Sequence, residues 1–302
     1  MKPRSVLVYS LNAYKLKHLV RYAEHYAYRR NMSVQVLRVN HAANFQTLIC
    51  RDMAYIDAVF MWGGHWPGQA VIKKSADKFG AKTYVFSDPI FKRRDHILID
   101  SEGSLGGSSL MHDPLDWVGK MEMYGYEAHR DHMHNSTQGM RSGWVGGNGH
   151  VLGVVELINS YDFLAYSPFR DLQEMVAVCE SIYPENEVWW VSTSNTKGMW
   201  DNIEMRHDSR VFKKTYLKSR LIKKADGVFG IANPMLYDAL MWGAPITVHG
   251  QCPLLNSPAS RDKLMAAILR RTVPIATEDI QPWLDHIDST RISGMIEATT
   301  TP

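Results

Sequence analysis

Short apolar runs alternate along this chain with longer stretches in which apolar residues recur every three or four positions, the rhythm of strands taking turns with helices. Val6–Tyr9 reads as a strand, Lys15–Asn31 as a helix and Ser33–Val39 as a second strand. Phe45–Asp57 follows as helix, Ala58–Trp62 as strand and Gly68–Phe79 as helix, with Thr83–Phe86 and His96–Ile99 as further strands. This alternation predicts an α/β protein with a mostly parallel sheet covered on both faces.

From Gly119 to Gly149 the pattern dissolves into Gly, Asn, Ser and His, the composition of a long functional loop or linker. The rhythm then restarts. Val151–Glu156, Val188–Val191 and Val228–Ile231 read as strands, and Pro168–Tyr183 and the basic segment Val211–Lys224 as helices. Ser260–Arg271 and Asp279–Glu297 close the chain as helices. The expected division is a first domain over 1–148, a second over 149–277, and a C-terminal helix within 278–302 packing back across both. A cleft between the two halves would face the carboxyl ends of their strands.

Composition narrows the class. At 302 residues the chain exceeds one ordinary core. Hydrophobic content of 45% and charged content of 22% describe a globular protein, and no apolar run reaches the ~20 residues of a membrane span. No signal peptide is read at the N-terminus. Three cysteines, Cys50, Cys179 and Cys252, stand far apart without metal spacing, which suits a reducing compartment and a cytoplasmic location. A net charge of +3 does not mark a nucleic-acid binder, but basic runs stand at Lys73-Lys74, Lys92-Arg93-Arg94, Lys213-Lys214 and Lys223-Lys224.

Four segments carry candidate chemistry. In the first, Asp95–Leu110, acidic residues and His96 flank a strand that runs into a Gly/Ser loop. Asp100 and Glu102 stand at the strand's carboxyl end, where either takes a proton from an attacking hydroxyl; the same residues also fit a polar turn closed by a capping carboxylate. In the second, Gly149–Asp162, Glu156 ends a strand and Asp162 stands before a helix. The third, Trp62–Gly68, offers Trp62 and Trp66 as a flat wall for a ring, with Gly64 and His65 between them. The fourth, Glu127–His134, is rich in His and acid but lacks a second ligand pair, so no metal site is read there. Separately, Asp226–Val248 reads as strand, tight turn at Ala232-Asn233-Pro234, and helix carrying Asp238. Such a turn aims free amides at a diphosphate.

Taken in order, these segments resemble the capsule-polysaccharide, Kdo-transferase-like glycosyltransferases of the GT-B fold. His96–Leu110 looks like that family's acidic loop ending in Ser-Ser-Leu. Val151–Asp162 looks like the strand opening its second domain, with Glu156 where a Gln usually stands. Asp226–Val248 looks like its nucleotide motif, with Asp238 in place of a Glu and Gly243-x-Pro245 retained. The chain departs from the family at Val191–Lys197, where a His-Pro is usual.

The resemblance implies two Rossmann-like domains with an interdomain cleft and a nucleotide-sugar donor, UDP-linked by preference and CMP-linked as the alternative. Asn233, Pro234, Met235, Leu236, Asp238, Glu156 and Lys197 would hold the donor, with no metal or other cofactor. Asp100 would be the base, with Glu102 second and His96 in support. Gly64, His65, Trp66, Arg93, Arg94 and Ser108 would receive the acceptor. The favoured acceptor is a 5-hydroxymethylpyrimidine such as 5-hydroxymethylcytosine in double-stranded bacteriophage DNA, reached from the basic run at Lys92–Arg94. The alternatives are a capsule or lipopolysaccharide-type glycan, or an epimerase-like sugar-nucleotide binder.

Overall fold

The computed structural model describes residues 4–10, 12–37, 53–63, 67–91, 95–136, 144–155, 165–192, 198–212 and 218–291. The chain forms two compact units, Met1–Trp117 with Ala267–Pro302, and Val118–Ala266. The observed division therefore falls near 117 and 266, not at 148 and 277. The predicted 119–149 linker contains a 17-residue helix, Lys120–Ser136, that belongs to the second unit. Among its described side chains only Tyr126 is buried, so it carries little of the apolar periodicity that marks a helix in sequence. Among the described residues no helix is long and apolar enough to cross a membrane.

The first unit holds a six-stranded sheet. In chain order its first elements are β1 (Ser5–Tyr9), α1 (Ala13–Tyr28), β2 (Ser33–Leu37), β3 (Ile56–Trp62), α2 (Pro67–Lys78), β4 (Lys82–Ser87) and β5 (His96–Asp100). Strand β2 pairs with β1, β1 with β3 and β3 with β4, all parallel. Alternate residues of these strands serve opposite faces. Val6, Val8, Phe60, Tyr84 and Phe86 pack with α1, whose buried Leu19, Tyr22, Ala23, Tyr26 and Ala27 follow helical spacing. Leu7, Tyr9, Val59, Met61 and Val85 pack with Ile72 and Ala76 of α2. Asn12 starts α1 by accepting the amides of Tyr14 and Lys15.

Strand β5 runs antiparallel to β4, with Leu98 opposite Ser87 and Asp100 opposite Val85. The amino end of β5, at His96, thus lies toward the carboxyl edge of the parallel strands, and Asp100 and Glu102 lie toward their amino edge, not at the edge where α/β sheets place their working groups as expected.

The second unit holds a wholly parallel sheet. Its elements begin with α3 (Lys120–Ser136), β6 (His150–Val155), α4 (Leu172–Ile182), β7 (Glu187–Ser192), β8 (Arg210–Phe212) and α5 (Lys218–Lys224). They continue through β9 (Gly227–Ile231), α6 (Pro234–Trp242), β10 (Ile246–His249), α7 (Pro253–Asn256) and α8 (Arg261–Arg270). Two elements of the first unit then close the chain: β11 (Thr272–Pro274), which pairs antiparallel with β5, and α9 (Gln281–Ser289). Leu284 and Ile287 of α9 bury against the α1 face of the first sheet beside Ile97 and Ile99. The order β10-β9-β6-β7-β8 is that of a doubly wound sheet, with its topological switch between β6 and β9. In the first unit the corresponding switch lies between β1 and β3.

Three further segments differ from the prediction. Phe45–Asp57, read as helix, has among its described residues a 3-10 turn at Met53–Tyr55 and the start of β3. Val211–Lys224, read as one basic helix, contains β8 and then α5, with 213–217 outside the described residues. Thr272–Pro274 is a strand because antiparallel β5 offers it a free edge, which local pattern cannot show.

Candidate active site

In the first unit the acidic loop is organised around Asp100. Its Oδ1 accepts the amides of Glu102 (2.8 Å), Gly103 (3.2 Å) and Ser109 (3.0 Å). Its Oδ2 accepts the hydroxyls of Ser108 (2.9 Å) and Ser109 (3.1 Å) and a guanidinium N–H of Arg271 (2.7 Å). Asp100 and Arg271 are each 2% exposed. Burial alone would raise the Asp100 carboxyl, but Arg271 and the three amides outweigh it and hold it below the usual carboxylate range.

A buried carboxylate with both oxygens occupied and depressed basicity is a poor proton acceptor. In this geometry Asp100 closes the turn that presents its neighbours, an arrangement that does not favour its expected role as base. Ser108, expected to contact an acceptor, is 5% exposed; its hydroxyl donates to Asp100 and accepts the Leu110 amide. His96 is separated from Asp100 by four steps of extended chain, about 13 Å, so the two cannot serve one reacting atom directly.

Glu102 differs from Asp100. Its side chain is 29% exposed and pairs with Lys73 of α2, itself 22% exposed. Asp77, one turn along α2, has its carboxyl pushed up by burial first and by the charge of Glu102, against the pull of Lys73. Glu102 is therefore the loop carboxylate that is both reachable and held by a single described cation. In sequence Lys73 is only part of the basic run Lys73-Lys74; its pairing with Glu102 exists once the loop folds against α2.

At the carboxyl edge of the first sheet, Lys15 reaches across the β1/β3 switch. Its ammonium lies 4.2 Å from the centroid of the Trp62 ring and pairs with Asp88. One face of the expected aromatic wall is thus occupied by a cation. Gly64, His65, Trp66, Arg93 and Arg94 lie outside the described residues.

In the second unit the Ala232–Pro234 turn has the predicted form but not the predicted free amides. Asn233 caps α6 by accepting the Met235 amide (2.8 Å), Pro234 has none, and the Leu236 amide bonds the Asn233 carbonyl (3.0 Å). Asn233, Met235 and Leu236 are fully buried. The Met235 and Leu236 amides are thus already bonded within the helix start and do not offer the free donors expected for a diphosphate. Asp238, one turn further along α6, is partly exposed.

In the same unit, His249 ends β10 with its ring 5.0 Å from Phe229 and 5.5 Å from Phe169. Burial lowers its pKa, and its Nε2 has no hydrogen-bond partner among the described residues. Sequence reading missed this histidine because nothing in its local pattern separates it from any strand end. Glu156, Asp162 and Lys197 lie outside the described residues. The residues from Glu127 to His134 lie on α3, where His134 bonds the Met241 carbonyl and stacks on Trp242, a packing role. No group of metal-binding side chains occurs among the described residues.

No protein-family model and no curated protein matches the chain. Among solved structures, the chain is similar to the β-Kdo 2,7 transferase of Thermosulfurimonas dismutans KpsC. That match has a TM-score of 0.63 at 12% identity and covers 95% of this chain and 100% of that one. It is similar too to the KpsC β-Kdo 2,4 transferase of the same organism, with a TM-score of 0.63 at 14% identity, covering 96% and 98%. The chain therefore shares the mixed α/β fold of these two glycosyltransferases.

Proposed function

We propose that the chain is a GT-B glycosyltransferase of two Rossmann-like domains, moving a sugar from a nucleotide-sugar donor onto a carbohydrate hydroxyl. The observation that carries this reading is a fold shared with two sugar transferases, in which the acidic loop offers one reachable carboxylate. The acceptor hydroxyl gives its proton to a carboxylate as its oxygen attacks the anomeric carbon, and the nucleotide leaves with the bonding electron pair; Glu102, the reachable carboxylate of the acidic loop, is the group to test in that role. Asp100 holds the loop and Lys73 orients Glu102. In the second unit, Asp238 bonds the ribose hydroxyls and His249 offers Nε2 to the nucleotide. A UDP-sugar remains the first donor to try and a CMP-sugar the second.

The glycan acceptor is put before hydroxymethylated DNA because the two similar solved structures are Kdo transferases; of the residues that motivated DNA, Trp62 already carries Lys15 on its ring, and Trp66 and Lys92–Arg94 lie outside the described residues. The test is incubation with UDP-, CMP- and GDP-sugars, each offered to an oligosaccharide panel and to hydroxymethylated duplex DNA, with products weighed by mass spectrometry. Transfer to an oligosaccharide that is lost in Glu102→Gln supports the reading. Transfer to DNA alone reverses the acceptor choice. No transfer from any donor, with no nucleotide-sugar binding by calorimetry, overturns the enzyme assignment.

A further inference from the structure

The acidic loop is held from a distant part of the chain. Arg271 follows α8 immediately and is 171 positions from Asp100, yet it donates to both Asp100 Oδ2 and Ser109 Oγ, each at 2.7 Å. On its other side it lies 3.6 Å from Asp113, which is 5% exposed. Asp113 in turn accepts the Leu115 amide (2.8 Å) and the Trp117 indole N–H (3.0 Å). The Trp117 ring lies 5.8 Å from the Arg271 guanidinium and stands edge-on to His286 of α9. The backbone shares in the arrangement, because the Arg271 carbonyl accepts the Ile99 amide at 3.1 Å.

One guanidinium therefore bridges the two ends of residues 100–113, a stretch built from short 3-10 turns at Leu105–Gly107 and Ser109–Met111. Such turns hold poorly by themselves. The chain leaves the first unit after Trp117 and re-enters it at Ala267, so exit and return are both fastened within a few residues of this cluster.

We infer that Arg271, seconded by Asp113, is a positioning residue that sets the conformation of the loop bearing Glu102. One nitrogen of the planar guanidinium, Nη1, donates to both Asp100 and Ser109, while the other, Nη2, faces Asp113. A lysine ammonium keeps the charge on a single nitrogen and cannot serve Asp100 and Ser109 on one side and Asp113 on the other. The inference rests on the transferase reading for its kinetic consequence and on geometry alone for its structural one.

The experiment compares wild type with Arg271→Lys and Asp113→Asn, using hydrogen exchange by mass spectrometry on peptides covering 101–111 and, as internal control, the β3 core strand. Exchange in 101–111 is expected to quicken at least tenfold in Arg271→Lys while β3 stays as in wild type. Transfer by that variant should fall at least tenfold in kcat, with the donor KM within twofold. Asp113→Asn should move both readouts in the same direction by less, and keeps the test open if the lysine variant does not fold.

Unchanged exchange in 101–111 in a folded variant would overturn the inference. So would equal acceleration in 101–111 and β3, which signals general loosening, or an activity loss carried by the donor KM. The exchange result stands without any substrate. Absence of turnover by wild type would therefore count against the transferase reading while positioning is still decided.

Discussion

Replacing Asp100 by Asn separates a structural carboxylate from a catalytic base. The amide oxygen of the new side chain can still accept the Glu102, Gly103 and Ser109 amides, but its NH2 cannot accept from Ser108, Ser109 and Arg271. Arg271 is then left 98% buried, with Asp113 at 3.6 Å as its remaining described carboxylate. Removing one partner of such a pair costs about 3–5 kcal/mol. That is a large part of the ~5–15 kcal/mol by which domains are stable.

At roughly 2–4 °C per kcal/mol for a unit of this size, the melting temperature should fall by about 6–20 °C. The double variant Asp100→Asn/Arg271→Met should recover several kcal/mol relative to the sum of the single changes, because no buried charge is stranded. Acidification should act in the same direction as Asp100→Asn. The folded pKa is depressed, so this contribution is complete above the unfolded value of ~3.9 and is lost as pH falls through the lower folded value. The assay is urea and thermal unfolding followed by circular dichroism. A variant with wild-type stability but no turnover would refute the argument and restore Asp100 as the base.

Glu102→Gln should lower kcat roughly 10²- to 10⁴-fold. It should shift stability by no more than ~1 kcal/mol, since its pair with Lys73 is partly solvated; a large melting shift would make Glu102 structural. His150 is 2% exposed with its ring stacked 3.7 Å from that of Trp189, and burial depresses its pKa. Its neutral form therefore stabilises the fold fully above the unfolded value of ~6.5, and that stability is lost as pH falls below it. Urea midpoints between pH 7.5 and 5 should decline, and less steeply in His150→Phe; equal slopes would remove His150 from the effect, leaving His18 and His249, which burial depresses likewise. Gly250→Ala should cost at least ~1–3 kcal/mol, because φ is +79° and a Cβ there would collide with the Tyr166 carbonyl oxygen; an unchanged urea midpoint would count against this packing.

The alternation of apolar runs determined the α/β class and most of the sheet strands by itself. Strands such as Ser5–Tyr9 are buried at every position, and only a sheet covered on both faces accepts that pattern. Asn233-Pro234 likewise announced the start of a helix from sequence, since cap and first-turn preferences are local. What the local pattern cannot carry is direction and partnership. The same five residues His96–Asp100 make a parallel or an antiparallel strand, and the choice reverses which end of β5 meets the carboxyl edge. Asp100 looks like a base or a cap until Arg271 arrives from 171 positions away and fills its second oxygen. Which carboxylate is locked and which stays reachable is decided by where the returning chain places its cations, and that is a property of the tertiary structure alone.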